Sequence, residues 1–458
     1  MLKKVLVANR GVVAMRIART LRRLGVPYAV VHSEADGGLP YVREATEAMH
    51  IGEARPQLSY LLPGAILEAA HRTGCDAIHP GYGFLSESVG FARKVVDAGF
   101  TFIGPEPQHI AALGDKARAR EVMVEAGFPV LSASAPLPEE GDAEAVAKAI
   151  GYPLLIKASA GGGGVGMQRV DRPDQLAGAL AKARGFAERF FGNRTVFLER
   201  WLTEARHVEF RIIADGMGDA LSLHHRDCSV QRRHQKVIEE APAPFIDEGA
   251  AHNLGVRLAA FFGRFGYRNL ATVEMLMDRD GRFYFLEVNT RLQVEHGVTE
   301  LITGLDLVEI QLRLASGERL GDILPIAPEP DGHAIEARIY AEDSVRFLPS
   351  PGALRVFRPP SVRPGLSMDV GYAEGDTVTP FYDPMLALVI AHGRDRNAAI
   401  ARLDGALADF AVEGVKTNIP FLRSMLASEA FEHGGHHTTF AEGFASHPKT
   451  SASPVGAT

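Results

Sequence analysis

Residues 272–289 read TVEMLMDRDGRFYFLEVN, two runs of alternating apolar and polar side chains around the turn Asp278-Arg279-Asp280-Gly281. This alternation predicts a β-hairpin. With Met277 opposite Arg282, Glu274 faces Phe285, and Phe285 shares a face with Glu287 and Asn289. Glu274 and Glu287 are then diagonal neighbours, about 7–8 Å apart. Two carboxylates and an amide on one face are unfavourable unless a cation sits there. Oxygen ligands so placed suit a magnesium ion that bridges substrate phosphates. A solvated sheet face would account for Glu274 alone. It accounts poorly for Glu287, because polar residues continue at period two through Asn289, Arg291, Gln293 and Glu295. An arginine in that run can hold a planar oxyanion in a fork, and a glutamate beside it can act as a general base.

Two further stretches carry chemistry. Lys157-Ala158-Ser159-Ala160 leads into a glycine run, Gly161 to Gly166 broken only by Val165, directly after the apolar segment PLLIK. Glycines let backbone N–H groups close on phosphate oxygens, and a nearby lysine adds charge. The pattern is not a P-loop, and a flexible hinge is the competing reading. Residues 226–236 read RDCSVQRRHQK. Basic side chains around a cysteine point to a reactive thiol, to nucleic acid or to an anion cage, and the cage is the better reading. A solvated basic face is the bland alternative.

These residues need a scaffold. Lys4 to Asn9 reads as a buried parallel strand, followed by a helix-period run from Gly11 to Gly25 and a second strand from Tyr28 to His32. That is a βαβ opening. Asp76 to His79 and Thr101 to Ile103 continue the same sheet, and Pro80-Gly81-Tyr82-Gly83 is a tight loop after a strand, where open sheets bind ligands. A dehydrogenase is the first suspicion. It fails on the turn Asn9-Arg10-Gly11-Val12-Val13-Ala14, which has one glycine where the dinucleotide fingerprint needs three. A second, smaller α/β region carries the strands Pro153 to Lys157 and Val196 to Glu199 and reads as an inserted lid. From Ala205, short alternating strands at 207–214, 220–224, 272–277 and 282–289, with a helix over 250–265, predict an α+β catalytic region.

Composition narrows the classes. A chain of 458 residues needs two or three domains. Its 46% apolar and 23% charged residues are globular, and a net charge of −7 argues against nucleic acid as partner. The two cysteines, Cys75 and Cys228, exclude a disulfide framework, and no apolar run is long enough to span a bilayer. A cytoplasmic location without membrane contact is expected.

Taken together and in order, VLVANRG, HPGYGFLSE, Gly114-Asp115-Lys116, the glycine run, RDCSVQRRHQKVIEEAPAP and EVNTRLQVEH resemble the biotin carboxylase family of the ATP-grasp superfamily, over Met1 to Phe444. The resemblance implies a combined α/β and α+β fold. It has a Rossmann-like preATP-grasp domain at 1–115, an ATP-grasp domain at 116–330 with a lid at about 130–203, and a C-terminal domain at 331–445. Residues 446–458 form a small polar tail expected to be disordered. The resemblance also implies roles. Lys116, Lys157, Gly162, Gly163, Gly164, Glu199, Leu202, His207, Gln231 and His234 bind ATP. Glu274, Glu287 and Asn289 hold magnesium, or manganese. Lys236, Arg291, Gln293, Val294 and Glu295 surround bicarbonate, and Tyr82, Gly83 and Arg338 meet biotin. Glu295, Arg338, Lys236 and Arg291 are the catalytic set. Such an enzyme is an ATP-dependent ligase that carboxylates biotin through carboxyphosphate. It works with a biotin carboxyl carrier protein and a carboxyltransferase of an acyl-CoA carboxylase, and is a homodimer. Another ATP-grasp ligase and a degenerate ATP-binding regulatory subunit are the rivals. The chain departs from the family pattern at Val12, Val165, Gly297 and Leu388, where glutamate, a basic residue, proline and lysine are usual.

Overall fold

The computed structural model describes residues 2–137, 142–158, 167–191, 193–233 and 235–445. The glycines at 161–164, Val165, His234 and the tail from Ser446 lie outside them. No helix among the described residues is long and apolar enough to cross a membrane.

The first five strands form a parallel sheet in the order Ala48–His50, Tyr28–His32, Val5–Val7, Ala77–His79, Thr101–Phe102. The order reverses between Val5–Val7 and Ala77–His79, and the crevice beyond such a reversal is where open sheets bind ligands. Here one side chain ties down the loop beside the crevice: Asn9 donates Nδ2 to the carbonyls of Pro80 at 2.7 Å and Tyr82 at 2.8 Å. Gly81 sits at φ +65°, and a β-carbon there would come within 2.9 Å of Val13 Cγ2. The glycine therefore lets the loop lie against the first helix, Gly11–Leu24.

A small antiparallel sheet orders Gln168–Val170, Leu154–Ala158 and Val196–Arg200, backed by the helices Ala143–Ile150 and Leu176–Phe191. Its apolar core includes Leu154, Ile156, Val170 and Leu198. This is the inserted unit read from the sequence.

The largest element is one antiparallel sheet of eight strands. The order is Phe283–Asn289, Arg268–Met277, Arg206–Asp215, Ala220–Arg232, Gln235–Ala241, His333–Tyr340, Met385–Gly393, Leu366–Val370. It runs without a break across residue 330, since Gln235–Ala241 pairs with His333–Tyr340. Helix Glu248–Arg264 covers one face through Leu254, Leu258 and Phe262.

The hairpin differs from expectation in register. Met277 pairs with Phe283, Met275 with Phe285, and then Glu274 with Glu287, so Leu286 is an extra residue in a β-bulge. Glu274 and Glu287 therefore stand directly opposite, not diagonal. The bulge has a reason. Phe285 belongs to the buried core beside Met275, while Glu287 must face the other side. Strict alternation would put residues 285 and 287 on one face, and one inserted residue separates them.

The C-terminal strands dock on the first helix at very short range. A β-carbon on Gly371 would lie 2.8 Å from the Val12 nitrogen and 3.2 Å from the Gly11 carbonyl carbon. Beside it, Arg10 pairs with Asp36 through Nε at 2.6 Å and Nη2 at 2.8 Å, and donates to the Tyr372 hydroxyl at 3.2 Å. Gly371→Ala must push these backbones apart. Denaturant unfolding should show a loss of about 1–3 kcal/mol, as for an overpacked core position. An unchanged midpoint would refute the close-approach account.

Candidate active site

Four strands of the large sheet place charged residues on one rung. Arg226 pairs with Glu209, Glu209 with Glu274, and Glu274 with Glu287. Three carboxylates abreast repel one another, and like charges directly opposite destabilise a sheet. Cations must therefore be built in. Arg226 donates Nε to Glu209 at 2.6 Å, and Lys116 pairs with Glu287. The Lys236 ammonium reaches three acids at once: Glu209 at 2.7 Å, Glu274 at 2.8 Å and Glu295 at 2.7 Å. Burial works against the Lys236 charge, but those carboxylates outweigh it and hold the ammonium well above its usual range.

Glu295 is shared between two cations. Its other oxygen accepts Arg338 Nη2 at 2.9 Å, and Arg338 Nε donates to Glu239 at 2.6 Å. Burial raises the Glu295 carboxyl, yet Lys236 and Arg338 prevail over burial and over Glu209, bringing it down to about 2. Glu274 is likewise lowered: burial opposes, while Lys236 and His207 win. His207 stands 3.1 Å from Glu274 through Nε2 and accepts Gln231 Nε2 at Nδ1, 3.0 Å away.

Arg291 is aimed by Glu87, which accepts its Nε at 2.8 Å, and by Asn289 Oδ1, which accepts its Nη2 at 2.9 Å. The side-chain oxygen Oε1 of Gln293 is taken up by Arg211 at 2.8 Å, by Arg226 and by Thr272 at 2.5 Å. This leaves the Gln293 amide directed at Glu209 and Glu274, each 3.3 Å away. Asn289 donates to Glu274 at 2.8 Å.

Two cavities meet over this array. The first, about 390 Å³, brings together the expected nucleotide residues Lys116, Lys157, Glu199, Leu202, His207 and Gln231. The expected metal and anion residues line it too, from Glu274 and Glu287 through Arg291 to Glu295. Lys157 pairs with Glu199 at its wall. The second cavity, about 610 Å³, lies at the crevice of the parallel sheet and is lined by Tyr82, Gly83, Phe84, Arg10 and Tyr382. Gln235, Val294 and Arg338 line both. The expected Gly162, Gly163, Gly164 and His234 are outside the described residues.

The basic run at 226–236 is not a cage throughout. Its residues are interior to two paired strands. Arg226 is committed to Glu209, and Arg232 to Glu342 at 2.6 Å, so only Gln231, Gln235 and Lys236 of the described members face the cleft. Cys228 is fully buried, and burial, then Glu209, push its thiol well above the usual value, which rules out a reactive thiolate. Sequence reading missed Glu209, Glu239 and the arginine-orienting Glu87. Glu209 had a signal, since His207, Glu209 and Arg211 alternate in one strand. Thr438 and Thr439, which also line the first cavity, had none.

Comparison with known proteins agrees with this geometry. Residues 1–110 match the N-terminal domain of biotin carboxylase, 115–323 the ATP-binding domain of the carbamoyl-phosphate synthase L chain, and 336–443 the biotin carboxylase C-terminal domain. Biotin carboxylase 2 of Bacillus subtilis is 48% identical over 447 residues, 96% of this chain and 99% of that protein. The chain belongs to the biotin carboxylase family. Among solved structures, the Campylobacter jejuni biotin carboxylase complex superposes with a TM-score of 0.91 at 39% identity, over 96% of this chain and 99% of that one. The biotin carboxylase domain dimer of Hydrogenobacter thermophilus 2-oxoglutarate carboxylase, solved with MgADP, ADP and bicarbonate, gives 0.90 at 38% identity, over 97% of this chain and 98% of that one.

Against the biotin carboxylase pattern, the departures have definite places. Val12 lines the second cavity. Leu388 pairs with Arg338, two residues from the pairing of Ile390 with Glu336. Glu336 is fully buried, and among the described residues neither of its carboxylate oxygens has a hydrogen-bond partner. Burial, then Glu239, push this carboxyl well above its ordinary value of 4.5. A carboxyl raised on folding stabilises fully below its unfolded value, and that contribution is lost as pH rises through the folded value. Leu388→Lys supplies a cation beside it and removes the penalty on ionisation. Between pH 5 and 8 the urea midpoint of the variant should therefore decline less with pH than that of the parent. A steeper decline in the variant would contradict the neutral-carboxyl reading.

Proposed function

We propose that this chain uses ATP and bicarbonate to carboxylate the ureido nitrogen of biotin borne by a biotin carboxyl carrier protein or domain. The observation that carries the reading is the meeting of two cavities at Arg338, Val294 and Gln235, with the Lys236–Glu295 pair in between. Adenosine and phosphates occupy the first cavity, with Lys116 and Lys157 on the phosphates. Biotin enters the second, past Tyr82 and Gly83. Bicarbonate lies between Lys236, Arg291, Gln293 and Glu295.

Glu274, Glu287 and Asn289 offer oxygen donors on one sheet face at the phosphate end, a donor set that fits magnesium or manganese. A metal bound there would neutralise charge on the transferring phosphoryl group.

The chain's own residues do the rest. Bicarbonate is a small anion, and it competes with Glu295 for the Lys236 ammonium and the Arg338 guanidinium. As those bonds pass to substrate, the Glu295 carboxylate loses the partners that hold it near 2 and becomes basic enough to take the bicarbonate proton. The bicarbonate oxygen then attacks the γ-phosphorus, ADP leaves, and carboxyphosphate forms. Carboxyphosphate splits to carbon dioxide and phosphate. The phosphate accepts the biotin N–H proton, the nitrogen attacks carbon dioxide, and Arg338 balances charge on the ureido oxygen. The biotin carrier and a carboxyltransferase on other chains or domains complete an acyl-CoA carboxylase, and the chain pairs as a homodimer.

The decisive test is ADP release with and without bicarbonate, and carboxybiotin formation with free biotin. ATP cleavage indifferent to bicarbonate would defeat the assignment. Glu287→Gln should keep the fold and lose most magnesium-dependent turnover, because one anionic ligand disappears. Near-parental turnover at saturating magnesium would remove Glu287 from the metal site. Arg338→Ala should lower carboxybiotin formation by about a hundredfold, the scale for one oxyanion donor. Bicarbonate-dependent ATP cleavage should fall by less. Equal loss of both rates would show that Arg338 acts mainly by holding Glu295.

A further inference from the structure

The segment after helix Glu429–Glu432 returns to the large sheet as a strap that ends in helix Phe440–Ala445. Between Glu432 and Phe440, His436 is its one fully buried residue. The His436 Nε2 lies 3.3 Å from Asp227 Oδ1 and 3.3 Å from Glu240 Oε1. Asp227 and Glu240 are direct partners across two strands, so the ring fills the gap between facing carboxylates.

Every other element around the ring adds a charged or titratable group. Arg206, from one flanking strand, grips Asp227 through Nε at 2.9 Å and Nη2 at 2.7 Å. Arg396, at the start of helix Arg396–Asp409, grips Glu240 at 2.6 and 3.0 Å, and His333 from the next strand donates to Glu240 at 2.8 Å. On the strap side, the Phe431 ring packs 5.0 Å from His436, and His437 follows in the chain. Burial opposes a charged ring, but Asp227 and Glu240 prevail and raise His436 to about 9.

The anchor leads to the first cavity by two routes. Thr438 donates its backbone N–H to the Ala205 carbonyl at 2.9 Å, and Thr438 and Thr439 line the cavity with Leu202, Ala205 and His207. Asp227 also accepts the Ser229 hydroxyl at 3.1 Å, and that hydroxyl accepts the His207 backbone N–H at 2.9 Å. Among the described residues, no hydrogen bond or ion pair joins His436, Asp227, Glu240 or Arg206 to Lys236, Glu295 or Arg338. The anchor therefore meets the nucleotide end directly, and reaches Lys236 only through His207 and Glu274.

We propose that His436 is a positioning residue for the nucleotide: its ring, seated between Asp227 and Glu240, pins the strap so that Thr438 and Thr439 wall the cavity against the base of ATP. This rests on the assignment of the first cavity to ATP.

The test uses the whole chain. His436→Gln, shown to be folded by circular dichroism, should raise the KM for ATP fivefold or more. The change in kcat and in KM for bicarbonate and free biotin should be smaller. Because the ring loses its proton as pH rises through about 9, the ratio of variant to parental KM for ATP should fall towards one above that pH. Hydrogen exchange on the parent protein supplies a measurement that needs no variant: MgADP should slow exchange over residues 435–445. An ATP KM within twofold of the parent in folded His436→Gln, or strap exchange indifferent to bound MgADP, would overturn the proposal. Failure of the parent to bind MgADP at all would instead overturn the ATP assignment.

Discussion

The Lys236 ammonium lies within 2.8 Å of oxygens from Glu209, Glu274 and Glu295, all in the interior. One positive charge cannot neutralise three negative ones. Arg226 on Glu209 and Arg338 on Glu295 supply further positive charge, and the His207 ring lies 3.1 Å from Glu274. Charges taken out of water cost several kcal/mol each unless they are paired, so these side chains form one unit. Loss of Lys236 would leave three acids short of a cation in one place. Breaking a single buried pair in this way typically costs about 3–5 kcal/mol. The directions of these side chains are fixed by the same bonds that make the interior tolerable.

That demand shapes the sheet around it. Acids and bases must come from strands 206–215, 220–232, 235–241, 268–277, 283–289 and 333–340, so one continuous sheet spans regions that match separate family domains. The bulge at Leu286 follows from the same need. It keeps Phe285 in the apolar core while turning Glu287 toward the cavity. A flawless ladder would satisfy the backbone better, but it would bury one of these two side chains on the wrong face.

Much of this was readable from residue order. The strand Tyr28–His32 and the helix Gly11–Leu24 follow directly from apolar periodicity, and the strand read at 272–277 begins four residues earlier, at Arg268. The shared face of Glu274, Glu287 and Asn289 was also legible, although by an incorrect register. Two errors fell out for face assignment because a bulge and a one-residue slip have opposite effects on which side a residue faces. The basic run at 226–236 misled for a different reason. Charge in sequence does not say whether a partner is buried, and the acids that claim Arg226 and Arg232 come from positions 209 and 342. The threonine wall at 438–439 could not be read at all, since nothing local in that segment marks a cavity.

Two departures from the family pattern, at positions 297 and 388, also resolve as packing rather than as separate losses. A β-carbon on Gly297 would overlap Ile390 Cδ1 and lie 3.2 Å from Glu336 Oε2. Ile390 is the strand partner of Glu336, and Leu388 sits two residues away opposite Arg338. Ile390 therefore fills the space that a side chain at 297 would take, and an apolar side chain stands at 388 where the family usually has a cation. The two changes fit each other. An apolar wall disfavours an ionised Glu336, and a neutral Glu336 makes no demand for a cation at 388. Neutrality also spares Arg338 a further carboxylate competitor, so its charge is divided between Glu239 and Glu295 alone. The guanidinium at the junction of the two cavities thus keeps its aim although the lysine beside it is gone.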